Sequence, residues 1–178
     1  MKRSFALLTL FAFVLTSVCF AQMGGDKSKR PSPPASASCD LGGKTIKTDY
    51  SSPRVKGRTI FGGLVPYGQV RRTGANEATT FVTSTDLTVG SAQVPAGSYT
   101  IFTVPNADKW TLVISKGTGE WGTDYPGPDK DLVRVDMKVS TLPSKVEDFT
   151  IAYDKSATGC TLRIDWENTR ASAEISAK

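Results

Sequence analysis

The residues best suited to chemistry are concentrated between Ser52 and Thr79, SPRVKGRTIFGGLVPYGQVRRTGANEAT, where Arg54, Lys56, Arg58, Arg71, Arg72, Asn76 and Glu77 stand among five glycines. Within it, RTGANEAT puts a cation, an amide, hydroxyls and a carboxylate into a glycine-containing bend just before an apolar strand. The spacing predicts that Arg72, Asn76 and Glu77 form the inner part of a polar site, with Arg58 and Tyr67 brought in from the preceding turn and strand. The planar fork of Arg72 can bind two oxygens of a carboxylate or phosphate at once. Two outcomes are open for that arginine: contact with a ligand, or an ion pair with Glu77 that locks the turn.

Farther along, Trp121 and Tyr125 in EWGTDY form an aromatic loop that either stacks on the face of a sugar or peptide or folds back as a cap on the core. Glu77, Glu120 and Asp124 are the candidates for paired-carboxylate hydrolysis of a glycosidic bond. Other chemistries lack their residues. The chain has no histidine, which removes Ser-His-Asp and Cys-His arrangements and histidine-ligated metals. It has no C-x-x-C pair for thiol redox work. The oxygens of PNADK and DKDLVRVD lack the spacing of a calcium loop, and the glycines do not make a phosphate-binding loop. No metal and no cofactor is expected.

These residues need a scaffold, and the rest of the chain supplies the pattern of one. SYTIFTV and WTLVISK, separated by PNADK, read as a central hairpin, with Ile101, Phe102, Val104, Leu112, Val113 and Ile114 nearly continuous in hydrophobicity. DLVRVDMKV alternates cleanly, and VEDFTIAYD, CTLRIDWEN and ASAEISA repeat the alternation. TIKTDYSS is predicted as a first strand, RTIFGGLV as a second one interrupted by Gly62 and Gly63, YGQVRRTG as a further short one, and TTFVTSTDLTV as another. Trp110 and Trp166 fall within strand patterns and are assigned to the core. No window of helix length carries a 3.6-residue apolar period. The prediction is all-β, an eight-to-ten-strand sandwich of two mainly antiparallel sheets, jelly-roll-like or immunoglobulin-like in outline.

The start of the chain reads as a signal peptide. Lys2 and Arg3 precede an apolar run from Phe5 to Val14, and cleavage is expected after Ala21, giving a soluble exported form. Lipid attachment at Cys19 is the weaker alternative, because Val18 is bulkier than the residue such a site carries. Residues 22–40 are rich in Gly, Ser, Pro, Ala and charge and are predicted to be a disordered leader, followed by a single domain over 41–178. Within an oxidising compartment Cys39 and Cys160 can close a disulfide; otherwise they remain two unpaired thiols. The net charge of +5, which includes Lys2 and Arg3, is too small to argue for nucleic acid.

SPRVKGRTIFGGLVPYGQVRRTGANEAT, followed by VPAGSYTIFTVP, EWGTDY and DLVRVDMKV, resembles an uncharacterised family of exported bacterial proteins, the domain of unknown function numbered 2911. The resemblance runs from about Lys44 to Ile175. It implies a small β-rich domain of the cell envelope or periplasm, sometimes beside helical repeats, with no assigned activity. Arg71 stands where the usual motif carries a tryptophan.

Three functions compete on these grounds. The first is a non-catalytic module binding a small anionic or saccharide ligand or an envelope partner. The second is a structural envelope domain without a ligand, and the third is a metal-independent hydrolase using carboxylates. No nucleic-acid partner and no membrane span in the mature chain are expected. Convergence of Arg58, Arg72, Asn76 and Glu77 on one pocket would favour the first.

Overall fold

The computed structural model describes residues 26–178. The signal peptide over 1–21, its cleavage after Ala21 and lipid attachment at Cys19 lie outside the described residues, as do the first residues of the leader.

Ten strands follow in order: β1 (Pro34–Asp40), β2 (Thr45–Ser51), β3 (Arg71–Arg72), β4 (Thr79–Thr83), β5 (Leu87–Val89), β6 (Ala92–Val94), β7 (Gly97–Val104), β8 (Lys109–Ser115), β9 (Asp131–Lys155) and β10 (Cys160–Ala177). The fold is all-β and antiparallel. The hydrogen-bonded ladder is continuous in the order β1-β2-β4-β7-β8-β9-β10-β5-β6, with β3 added against β7. The two layers of the sandwich are therefore parts of one sheet that doubles over its own core.

The central hairpin forms as its composition predicts, with Thr100 opposite Ser115 and Val104 opposite Thr111. The doubling is the work of the β9–β10 hairpin. The near end of β9 extends the ladder from β8, with Trp110 opposite Met137. Its far end lies over β2, where the Tyr50 hydroxyl accepts from the Ile151 N–H at 3.1 Å and donates to the Ile151 carbonyl at 3.3 Å. The four alternating segments predicted from Val133 to Ile175 are thus two long strands. Joining them requires a change of parity, because Cys160, Leu162, Ile164 and Trp166 are buried on even positions and Ala171, Ala173 and Ile175 on odd ones. The ladder shifts register on both sides of Glu167, whose φ is 55°, and a bulge of this kind exchanges the faces of a strand. The buried carboxylate of Asp165 beside it is bound by Arg170 at 2.7 Å through each oxygen and by Arg163 at 2.5 Å. These charge-assisted bonds fix the bulge and, with it, the position of Trp166.

Three local readings change. The stretch predicted as a leader contributes β1 from Pro34 onward, paired along its whole length with β2. Its small residues bury little, and its order comes from backbone pairing and from the disulfide between Cys39 and Cys160, whose Cα atoms are 6.6 Å apart. RTIFGGLV is a compact loop rather than a strand: Leu64 N–H bonds to Thr59 O and Val65 N–H to Ile60 O. A side chain at Gly63 would lie 2.6 Å from the Thr59 carbonyl, so only glycine permits the chain to double back so tightly. TTFVTSTDLTV divides into β4 and β5 because Thr83 turns the chain, its hydroxyl donating to the Thr85 carbonyl and accepting from the Thr85 N–H.

Candidate functional site

At one end of the sheet, where β3 is only two residues long, the 53–75 segment and the 121–125 loop approach each other over a cleft of about 320 Å³. Phe61, Trp110, Phe149 and Trp166 line one part of it. They pack edge to face, with Phe61 to Trp110 centroids 4.9 Å apart and Phe149 to Trp166 centroids 5.5 Å apart. Phe102 and Tyr125, centroids 5.2 Å apart, line another part. Since Phe102 and Thr103 are successive residues of β7 and both line the cleft, the lining draws on residues of both faces of the sheet.

Arg58, Arg71 and Arg72 line this cleft, and no Asp or Glu does among the described residues. The three arginines are not equivalent. Arg58 closes its own turn, donating from Nε to the Val55 carbonyl at 3.0 Å and from Nη2 to the Arg54 carbonyl at 2.6 Å. Arg71 donates to Gln69 Oε1 at 2.9 Å. Arg72, half-buried, makes no side-chain hydrogen bond or ion pair with another described residue; its stem rests against Gly122. A Cβ at Gly122 would come within 2.8 Å of Arg72 Cδ and 2.5 Å of the Asn76 carbonyl, so glycine there allows the two segments to meet.

Of the residues predicted as ligand-binding, Arg58, Arg72 and Tyr125 line the cleft, and Tyr67, Asn76, Glu77 and Trp121 do not. Asn76 and Glu77 face the N-terminal segment. Asn76 Nδ2 donates to the Ser32 carbonyl at 2.9 Å, and its own carbonyl accepts from Gly122 N–H at 3.0 Å. Its positive φ of 56° makes that double engagement possible. Glu77 is bound by Arg30 and, at 3.0 Å, by Lys27, so the proposed ion pair with Arg72 is not formed. These hydrogen bonds, Arg30 first, hold the Glu77 carboxyl at about 2, well below the usual carboxylate range. Tyr67 is 44% exposed, with its ring against Gly62. Trp121, 50% exposed, pairs its backbone with Glu77 and neither stacks over the cleft nor caps the core. The Tyr125 hydroxyl is taken by Asp131, which accepts at 2.8 and 2.9 Å, and by Arg134, which donates at 2.8 Å. That leaves its ring as the part offered to the cleft.

The sequence reading missed the cleft residues Phe61, Trp110, Phe149 and Trp166 as site residues, assigning both tryptophans to the core alone. Trp110, Phe149 and Trp166 are buried, Phe61 is half-buried, and all four also line the cleft, a dual role that no local pattern announces. Glu120, another of the candidate carboxylates, accepts weakly from the Thr100 hydroxyl at 3.5 Å and stands outside the cleft, as does Asp124. Among the described residues no group of three acidic or cysteine side chains is arranged to hold a metal ion.

A family model described as a protein of unknown function, DUF2911, matches residues 32–175. The chain belongs to the DUF2911 family. That match begins at Ser32, so the DUF2911 domain includes β1 and reaches back to the residue whose carbonyl receives Asn76. No curated protein and no solved structure matches the chain. Among the described residues, no helix is long and apolar enough to cross a membrane.

Proposed function

We propose that this DUF2911 domain is an exported, non-catalytic binding module whose cleft takes a small ligand through Arg72. The observation that carries the reading is a cleft with an aromatic lining, three arginines and no carboxylate, in which Arg72 has no protein partner among the described residues. Its volume of about 320 Å³ is at the low end of small-molecule sites. An arginine fixed in place by packing of its stem, with its guanidinium uncommitted, is suited to an incoming anion. Hydrolysis by paired carboxylates is disfavoured because Glu77, Glu120 and Asp124 all stand outside the cleft. Export is supported by the signal-like start of the sequence and by the disulfide, a bond characteristic of oxidising compartments.

A thermal-shift screen of carboxylates, phosphates and neutral sugars on the wild type and on Arg72→Gln tests this. Glutamine keeps the three carbons that rest near Gly122 and removes the cation. At least one compound is expected to raise the melting temperature of the wild type and to raise that of the variant less. A screen in which no compound stabilises the wild type would contradict the reading.

A further inference from the structure

We infer that the cleft's ligand is an amphipathic anion, a flat apolar body carrying a carboxylate or phosphate at one end, rather than a saccharide. The inference rests on the binding reading above and narrows it to a ligand class. Two properties of the lining decide it.

The first is charge of one sign. Arg58, Arg71 and Arg72 face no lining carboxylate, and the nearby Glu77 is already held by Arg30 and Lys27. A ligand entering the cleft meets uncompensated positive charge beside low-dielectric aromatic walls, where an anion gains most.

The second is scarcity of neutral polar partners. A saccharide presents several hydroxyls, each both donor and acceptor, and is normally met by carboxylates and side-chain amides able to answer them. The lining has neither. Of its hydroxyls, Tyr125 is taken by Asp131 and Arg134, Thr123 donates to Asp124 at 3.2 Å, Thr103 accepts from Thr73 at 3.5 Å, and Ser32 is left without a side-chain partner among the described residues. What remains is the Ser32 hydroxyl, the arginine donors and an aromatic wall in which Phe61 is half-buried and Phe102, Trp110 and Trp166 are nearly covered. Burying sugar hydroxyls against that surface would leave them unpaired, whereas a planar hydrocarbon would lose nothing.

Isothermal titration with four probes tests the class: 2-naphthoate, the neutral 2-naphthylmethanol, inorganic phosphate and maltose. Saturable binding of 2-naphthoate is expected, about tenfold or more tighter than that of 2-naphthylmethanol or phosphate, because only the first has both apolar body and charge. Arg72→Gln should weaken 2-naphthoate by a similar factor while leaving the melting temperature of the unliganded protein near that of the wild type. Maltose binding in place of 2-naphthoate, abolished by Arg72→Gln, would overturn the ligand class and leave the binding module standing. Naphthoate binding that is unchanged in Arg72→Gln, Arg71→Gln and Arg58→Gln alike would overturn the class by removing charge recognition. Binding of none of the four probes would overturn the class, and the thermal-shift screen then decides separately whether the module binds any ligand.

Discussion

Arg30 holds both carboxylate oxygens of Glu77, its Nη1 standing 2.9 Å from one and 3.0 Å from the other, across 47 residues of chain. This bond fastens the segment ahead of β1 to the bend that follows β3, and Lys27 adds a second cation at 3.0 Å. By occupying Glu77 it leaves Arg72, on the other side of the same bend, without a carboxylate. The bend is thus held from outside by the N-terminal segment and from inside by Gly122, and the cleft keeps a cation for its ligand.

The first prediction concerns acid. The hydrogen bonds from Arg30 and Lys27 lower the folded-state carboxyl of Glu77 from its ordinary value of 4.5 to about 2. A depressed carboxylate contributes stability that is complete above its unfolded value and is lost as pH falls toward the folded one. The loss therefore falls between about 4.5 and about 2. With the Glu77 side chain 41% exposed, solvent screening keeps the effect small, about 1 kcal/mol or less. Chemical denaturation across that range should show a steeper loss for the wild type than for Glu77→Gln, and equal slopes would contradict the assignment.

The second concerns Tyr50. Removing its hydroxyl leaves the buried N–H and carbonyl of Ile151 without that partner, and Tyr50→Phe should cost about 1–3 kcal/mol. Urea denaturation measures it, and a loss under a few tenths of a kcal/mol would show that this contact does not hold the far end of β9 to β2.

Much of the fold is legible in the sequence because burial on one face of a strand leaves its period there: Val135 and Met137, and Leu162, Ile164 and Trp166, all point inward as their alternation predicts. What escapes is non-local or carried by backbone. PASASCD has too little apolar surface to signal a strand, yet it pairs with β2 and is tied to β10 through Cys39. RTIFGGLV has strand-like residues, but the close approach of Gly63 to Thr59 turns it into a loop. The site was half legible for the same reason. Arg58, Arg72 and Tyr125 sit in polar loops that draw the eye, whereas Glu77 finds its partner in Arg30, which no local pattern marks.

The third prediction uses the disulfide. Cys39 and Cys160 close a loop with a sequence separation of 121, and removing such a cross-link costs about 2–5 kcal/mol. Cys39→Ser with Cys160→Ser should show that loss in denaturation midpoint, and peptide mapping without reductant should recover the two cysteines in one cross-linked species. Two unlinked thiols in protein recovered from an oxidising compartment would contradict it.

The fourth tests how the cleft is built. Gly122→Ala places a methyl group 2.5 Å from the Asn76 carbonyl and 2.8 Å from Arg72 Cδ. Forcing those segments apart should cost about 1–3 kcal/mol and displace the Arg72 stem. Calorimetry and 2-naphthoate titration should both report the change; a variant as stable as the wild type, with undiminished binding, would show that Gly122 does not set the position of Arg72.

A ligand entering the cleft between the aromatic cluster and Arg72 would be reported by the three tryptophans of the chain. Trp110 and Trp166 line the cleft, whereas Trp121 is half-exposed outside it and serves as an internal control. In a titration with 2-naphthoate followed by nuclear magnetic resonance of the indole Nε1–H signals, Trp110 and Trp166 should shift saturably and Trp121 much less, with the response weakened in Arg72→Gln. Shifts confined to Trp121, or none at all at ligand concentrations that saturate binding by calorimetry, would contradict ligand entry there.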